Sequence, residues 1–197
     1  MLGFNNPKQH YTLNGAVLKQ VTEKVRDLGF ILNSNLSFQD HVRHIVQLAK
    51  YRTYNLFKVL KTNLESIWIK AYKTYIRPMV EFGTTVFNSD RGFVKKIESV
   101  QNNFTRKLFF RLGGYKYCTI PSSSFRNRKL KLISLESRRN TTDLVMIHKI
   151  ITGKCGINAN DFFTFNRSRT RGAKQKISFP IPKTSHRAQF FTIRAGS

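Results

Sequence analysis

The sequence predicts a mainly α-helical fold with a small N-terminal β hairpin or sheet, a helical bundle and an extended basic C-terminal tail. Three observations carry that expectation. Turn signals and short apolar runs fill the first 33 residues. Apolar residues then recur at helical spacing from residue 37 onward. After Asn166 the chain carries eight Lys or Arg and no acid. The expected divisions are a β segment over 1–33, a helical domain over 34–115, a second helical segment over 116–166 and the tail over 167–197.

At the N-terminal end, HYTL, the pair Asn14-Gly15 and AVLKQV read as a hairpin, because Asn-Gly suits a type I′ turn. RDLGFILN reads as a third short strand, with Gly29 marking a bulge or a close approach. Ser37 followed by Asp40 predicts an N-cap box, and Val42, Ile45, Val46, Ala49, Leu56 and Leu60 supply a core stripe behind it. On the same wheel Arg43, Gln47, Lys50, Tyr51, Tyr54, Lys58 and Lys61 fall on the opposite side. That basic face with interleaved tyrosines suits phosphates and sugars or bases. It equally describes a solvated face with snorkelling tyrosines.

A second helix is expected over about 64–76, with Ile67, Trp68, Ala71, Tyr72 and Tyr75, halted or kinked by Arg77-Pro78. Glu81 lies in an apolar stretch, where pairing with Arg77 is expected rather than acid catalysis. A third helix is expected to start at Asp90. It buries Phe93, Ile97, Val100, Phe104 and Leu108, presents Lys95 and Arg106 outward, and ends at Leu112-Gly113-Gly114. TIPSSSF reads as a linker. In the next helix, capped by Ser134, Glu136 and Asp143 stand three and four residues from Arg139. They are expected to hold it as a structural ion pair while Arg138 points elsewhere. The tail adds Arg169, Arg171, Lys174 and Lys176 and is expected to be extended or disordered without a partner.

Composition bounds the function. The chain has 35 Lys and Arg against 10 Asp and Glu, a net charge of +25 over 197 residues. That excess implies a polyanionic partner, nucleic acid before an anionic membrane. No apolar run approaches the eighteen or so residues of a spanning helix, and MLGFNNPKQH lacks a secretory apolar region. Cys118 and Cys155 form no C-x-x-C pair, which with the missing signal points to a reducing intracellular compartment, nucleus or cytoplasm. There is no Gly-rich phosphate loop and no H-E-x-x-H. His41 and His44 share a helix face but find no third ligand besides Asp40. The acids are scattered singly, so a two-metal active site is not expected, nor any cofactor or small-molecule substrate.

Ordered motifs then supply a resemblance. They are Met1-Leu2-Gly3-Phe4-Asn5-Asn6-Pro7, Tyr11 with Leu13-Asn14-Gly15, Asp27-Leu28-Gly29, and Leu36-Ser37-Phe38 with His41. Further along come Tyr75-Ile76-Arg77-Pro78 with Glu81-Phe82, Ile97-Glu98 with Val100-Gln101, Ser134-Leu135-Glu136 with Arg138-Arg139 and Asp143-Leu144, and Thr170-Arg171-Gly172. In this order they resemble the segment downstream of the catalytic Asp-Asp motif in non-LTR retrotransposon reverse transcriptases of the jockey-like and chicken-repeat kind. Phe87 stands where that family usually has tryptophan, Ala173 where it has histidine, and the closing tryptophan-asparagine-leucine-proline segment is missing.

The resemblance implies that residues 1 to about 33 correspond to the end of the palm, including its primer-grip region. The helices after Ser37 would be the thumb and a following helical region, and the catalytic aspartates would precede Met1. A thumb holds a template–primer duplex by its backbone, which favours contact over mere solvation for the basic face. The expected role is therefore a non-catalytic nucleic-acid-binding fragment of an RNA-directed DNA polymerase. The expected contacts are Arg43, Lys50, Tyr54, Lys58, Lys61, Lys95, Arg106, Arg138, Arg169, Arg171, Lys174 and Lys176. The alternatives are an independent basic RNA-binding protein, ribosome- or maturase-associated, and a non-functional remnant.

Overall fold

The computed structural model of the chain describes residues 10–17, 24–34, 37–87, 91–167, 175–183, 185–188 and 190–194. It is mainly helical with small antiparallel strand pairs, as expected.

β1 (Thr12–Leu13) pairs with β2 (Ala16–Val17) across Asn14 and Gly15, whose φ values of 51° and 80° are those of a type I′ turn. The next stretch departs from expectation. RDLGFILN is not one strand but the centre of a second hairpin, β3 (Lys24–Asp27) against β4 (Phe30–Asn33). Leu28 and Gly29 form its turn at φ 46° and 89°, so Gly29 is there for its backbone conformation, not for a bulge. β4 packs on the first long helix, and Phe30 stacks on Phe82 at 5.6 Å between ring centroids. Gly83 makes room for that ring, since a Cβ there would come within 2.1 Å of Phe30.

α1 (Gln39–Val59) buries Val42, Ile45, Val46 and Ala49, as its periodicity requires, with Leu56 half-buried beyond them. The expected cap box is not formed. Phe38 is the N-cap residue, with no side-chain cap bond; Ser37 Oγ accepts from the Gln39 amide, and Asp40 turns to Arg43 and Lys24. α2 (Glu65–Ala71) does not halt at Arg77-Pro78. A π turn over Tyr72–Ile76 carries it into α3 (Arg77–Glu81), with Pro78 in the first turn of the new helix. Proline has no amide to donate, and the widened turn just before it, closed by the Arg77 amide on the Tyr72 carbonyl, lets the chain pass into the new helix with Pro78 in its first turn. Trp68, Tyr72, Ile76 and Val80 are fully buried along this composite helix, whereas Ile67 and Tyr75 are exposed.

After α4 (Thr84–Phe87), α5 (Arg91–Leu112) buries Ile97, Val100, Phe104 and Leu108 against α1. Asp90, its expected cap, lies outside the described residues. The last three residues of the expected linker instead open α6 (Ser123–Lys129), whose cap is Ser122, accepting from the Phe125 amide at 3.4 Å. α7 (Leu135–Ile151) is capped by Ser134, as expected, through the Ser137 amide at 3.1 Å. One apolar core runs from Val42 to Leu135, and a smaller one gathers Ile147, Ile150 and Phe163.

The C-terminal stretch, expected as a tail, is partly folded. β5 (Thr164–Arg167) pairs with β6 (Gln175–Ser178), and α8 (Ser185–Ala188) precedes α9 (Phe191–Arg194), which buries Thr192 and Ile193. Arg169, Arg171 and Lys174 lie outside the described residues. No helix among the described residues is long and apolar enough to cross a membrane.

Candidate nucleic-acid interface

The basic face of α1 emerges as its periodicity dictates. Arg43, Gln47, Lys50, Tyr51, Tyr54 and Lys58 are all exposed, with Tyr51 and Tyr54 standing well out of the surface, whereas Lys61, expected on the same helix, is exposed but lies past its end, where Leu60 is extended. Packing α1 against α5 then does something a single wheel cannot show. A groove of about 510 Å³ opens between them, lined by Lys50 from α1 and by Lys95, Glu98, Ser99, Asn102, Asn103 and Arg106 from α5. Three of the cations named from sequence thus converge from two helices, 56 residues apart at the extremes (106 minus 50). The serine and two asparagines between them add neutral hydrogen-bonding groups of the kind that contact phosphate and sugar.

Other expected contacts are placed differently. Arg43 Nη1 sits 2.6 Å from Asp40 Oδ1, so its charge is already answered within its own helix. Tyr54 and Lys58 continue the exposed face past the groove, and Lys61 is exposed just beyond the end of the helix. Lys176 projects from β6 on the separate C-terminal hairpin. Arg138 does not join the basic surface. Its Nε and Nη2 grip both carboxylate oxygens of Glu81, the second at 3.2 Å. That fork is bidentate, and the hydrogen bond raises the arginine's pKa. Arg77 does pair with Glu81, as expected, but at 3.6 Å, an ion pair too long for a hydrogen bond.

The ion pair expected around Arg139 is absent among the described residues. Arg139 is buried, but its Nε donates to the Leu135 carbonyl at 3.2 Å and its Nη1 and Nη2 have no hydrogen-bond partner. Asp143 is taken by Arg194, whose Nε lies 3.0 Å from Oδ2 and whose Nη2 also reaches the Thr84 and Thr85 carbonyls. Glu136 stays exposed at the start of the helix. Burial pushes the Arg139 guanidinium down, opposed in order by Glu98, Glu136, Asp143 and Glu81. Its hydrogen bond goes to the Leu135 carbonyl, and the carboxylates act on it at longer range. Glu98, which no i,i+4 rule points to, accepts the Leu135 amide at 2.9 Å and so braces the start of α7, with its own pKa raised by burial.

Two more polar links tie the bundle together. Tyr72 Oη donates to Gln101 Oε1 at 2.9 Å, and Gln101 Nε2 donates to the Ile133 carbonyl at 3.2 Å. Arg126 is buried. It donates through Nε to Thr105 Oγ1 at 3.2 Å and through its other nitrogens to the Pro121 and Asn102 carbonyls, fastening α6 to α5. No group of three or more His, Cys, Asp or Glu among the described residues is placed to hold a metal ion.

No family model matches this chain, and no solved structure does. It is similar to an uncharacterized protein of Caenorhabditis elegans, 23% identical over 137 residues, which are 68% of this chain and 66% of that protein. The chain therefore spans about two thirds of that relative's length, and the relative's name carries no activity.

Proposed function

We propose that this chain binds nucleic acid without catalysis of its own, as the thumb-like part of a non-LTR reverse transcriptase, holding a template–primer duplex by its phosphates. The observation that carries the reading is the convergence of Lys50, Lys95 and Arg106 on one groove in a chain of net charge +25. None of Lys50, Lys58, Lys61 and Lys95 takes part in the ion pairs of the described residues. Contacts of this kind grip a backbone and read no sequence. The ordered motifs that resemble the reverse transcriptases add the identity of the duplex.

The test is a binding titration of the chain against duplex and single-stranded RNA and DNA at several salt concentrations. Affinity is expected to fall linearly on a log–log scale, by about 0.9 per phosphate neutralised on B-form DNA. Replacing Lys50, Lys58, Lys61 and Lys95 with Gln is expected to flatten that slope by roughly three units and to weaken all sequences alike. The competitor is the C-terminal basic stretch. Removing it whole would also remove Arg194 and its pair with Asp143, so Arg169, Arg171, Lys174 and Lys176 are changed to Gln instead. Binding lost with that set and kept with the first would assign the contact to the C-terminal stretch. Magnesium-dependent primer extension by the pure chain would overturn the absence of catalysis.

A further inference from the structure

Beside the Lys50–Lys95 groove lies a second depression, about 550 Å³, lined by Phe57, Arg106, Lys107, Phe110, Arg111 and Ile120. Its walls are almost wholly apolar, although three of its six lining residues are cations. Arg111 is turned inward, donating through Nη1 to the Phe57 carbonyl at 2.7 Å with its guanidinium 5.0 Å from the Trp68 ring centre. Phe57 is likewise committed, packed on Trp68 at 4.4 Å and on Phe104 at 5.6 Å. Phe110 is not. It is 59% exposed at the edge of the depression, and no other ring among the described residues stacks on it.

Arg106 lines both depressions, and a third lined by Asn102, Pro121, Ser122, Ser123 and Arg126. A charged groove and an apolar pocket bearing an exposed aromatic ring therefore share Arg106 as a lining residue. A duplex keeps its bases stacked inside and has no use for such a pocket. A single strand splays its bases out, and these stack on aromatic side chains while the backbone follows the cations.

We propose that this pocket takes an unpaired nucleobase stacked on Phe110, with Lys107 beside its phosphate, where a duplex lying along Lys50 and Lys95 gives way to single strand. The proposal rests on the duplex-binding reading above. An acidic peptide with an apolar anchor would also suit an apolar pocket with a basic rim. Continuity with the cationic groove through Arg106 favours the nucleotide.

Fluorescence anisotropy with three probes tests it: a blunt RNA–DNA hybrid, the same hybrid with a single-stranded extension, and an acidic peptide carrying aromatic side chains. The extension is expected to tighten binding about tenfold, the effect of one stacked base. Phe110→Ala is expected to abolish that gain and leave blunt-hybrid affinity unchanged. Phe110→Trp should keep the gain, and Phe110→Leu, which retains the apolar bulk without a π face, should lose it. An extension that adds nothing, or a Phe110→Leu variant that binds as the wild type does, overturns the proposal. So does Phe110-dependent binding of the peptide in preference to the extended hybrid. If the wild type binds neither hybrid, the duplex reading falls as well, whereas blunt-hybrid binding without a gain from the extension sinks only the base pocket.

Discussion

The seam where α7 meets α3, α5 and α9 and the groove between α1 and α5 are both rich in arginine and lysine, yet they use charge oppositely. Along the seam carboxylates answer two of the arginines, Glu81 gripping Arg138 and Asp143 gripping Arg194, while Glu98 accepts the neutral Leu135 amide. In the groove Lys50, Lys95 and Arg106 surround a single carboxylate, Glu98, whose Oε2 is already turned to α7. A chain with ten acids can neutralise few of its 35 cations. Three of the ten, Glu81, Glu98 and Asp143, stand half-buried or buried along the seam. The groove is left positive as a consequence, and surplus positive charge is what an anionic partner reads.

The largest effect expected from breaking this contrast comes from Asp143→Ala. It takes the carboxylate partner from Arg194, which is mostly buried, and removes a carboxylate from the surroundings of Arg139. Loss of one partner of a buried pair costs about 3–5 kcal/mol. Urea unfolding should show that loss, while affinity for nucleic acid per folded molecule stays the same. A variant as stable as the wild type would mean that the Asp143–Arg194 pair contributes nothing to the fold.

Arg139 sharpens the comparison from the other side. Its two terminal nitrogens are buried without hydrogen bonds. A buried charge without partners costs stability, and an apolar side chain of similar length removes that cost. Arg139→Met is therefore expected to hold or raise the melting temperature, and a fall of several degrees would show that the carboxylate field around it is worth more than a contact. The groove should respond in the reverse sense. Lys50→Gln with Lys95→Gln should shift stability by no more than about 0.5 kcal/mol. The same pair should flatten the salt dependence of binding by about two units. If stability and binding fall together, the seam and the groove are not separate.

Sequence spacing revealed the groove's cations and missed the seam, for a physical reason. Helical periodicity places Lys50 on the outer face of α1 and Lys95 and Arg106 on that of α5, because the opposite faces must be apolar to pack. The wheel could not show that the two faces meet. Neighbours at i,i+3 and i,i+4 suggested that Glu136 and Asp143 hold Arg139. The partners that Arg138 and Asp143 actually take lie 57 and 51 residues away. Such pairs follow from how helices cross, which local pattern does not encode. The Asn14-Gly15 turn and the Ser134 cap were legible because their causes are local. The second hairpin was hidden because its turn begins with Leu28, held at positive φ where Asn or Gly would be the usual sign.

The smallest expected effect concerns a group in neither region. His41 is buried on α1 with neither ring nitrogen hydrogen-bonded, packed 5.2 Å from the Phe30 ring and 4.8 Å from the Phe87 ring. Burial, then the charge of His44, lowers its pKa below the ordinary 6.5. The unfolded chain therefore takes up a proton at this site at a higher pH than the folded chain does. Unfolding is then favoured by acid, so the contribution of His41 is fully present above pH 6.5 and is lost as pH falls through its lowered folded value. Glu98 acts in the opposite direction. Its folded pKa is raised above 4.5, so its contribution is present below 4.5 and lost as pH rises through the raised value. His41→Phe keeps an aromatic ring between Phe30 and Phe87 and removes the titration. The stability difference between this variant and the wild type should be constant above pH 6.5 and should shift in the variant's favour below it, as read from urea midpoints at a series of pH values. Adding Glu98→Gln to both proteins removes the opposing group and should leave that difference unchanged. A difference that is flat from neutral pH to acid would mean that His41 gains a proton as readily in the fold as out of it, and the apolar packing around it would then need a different account.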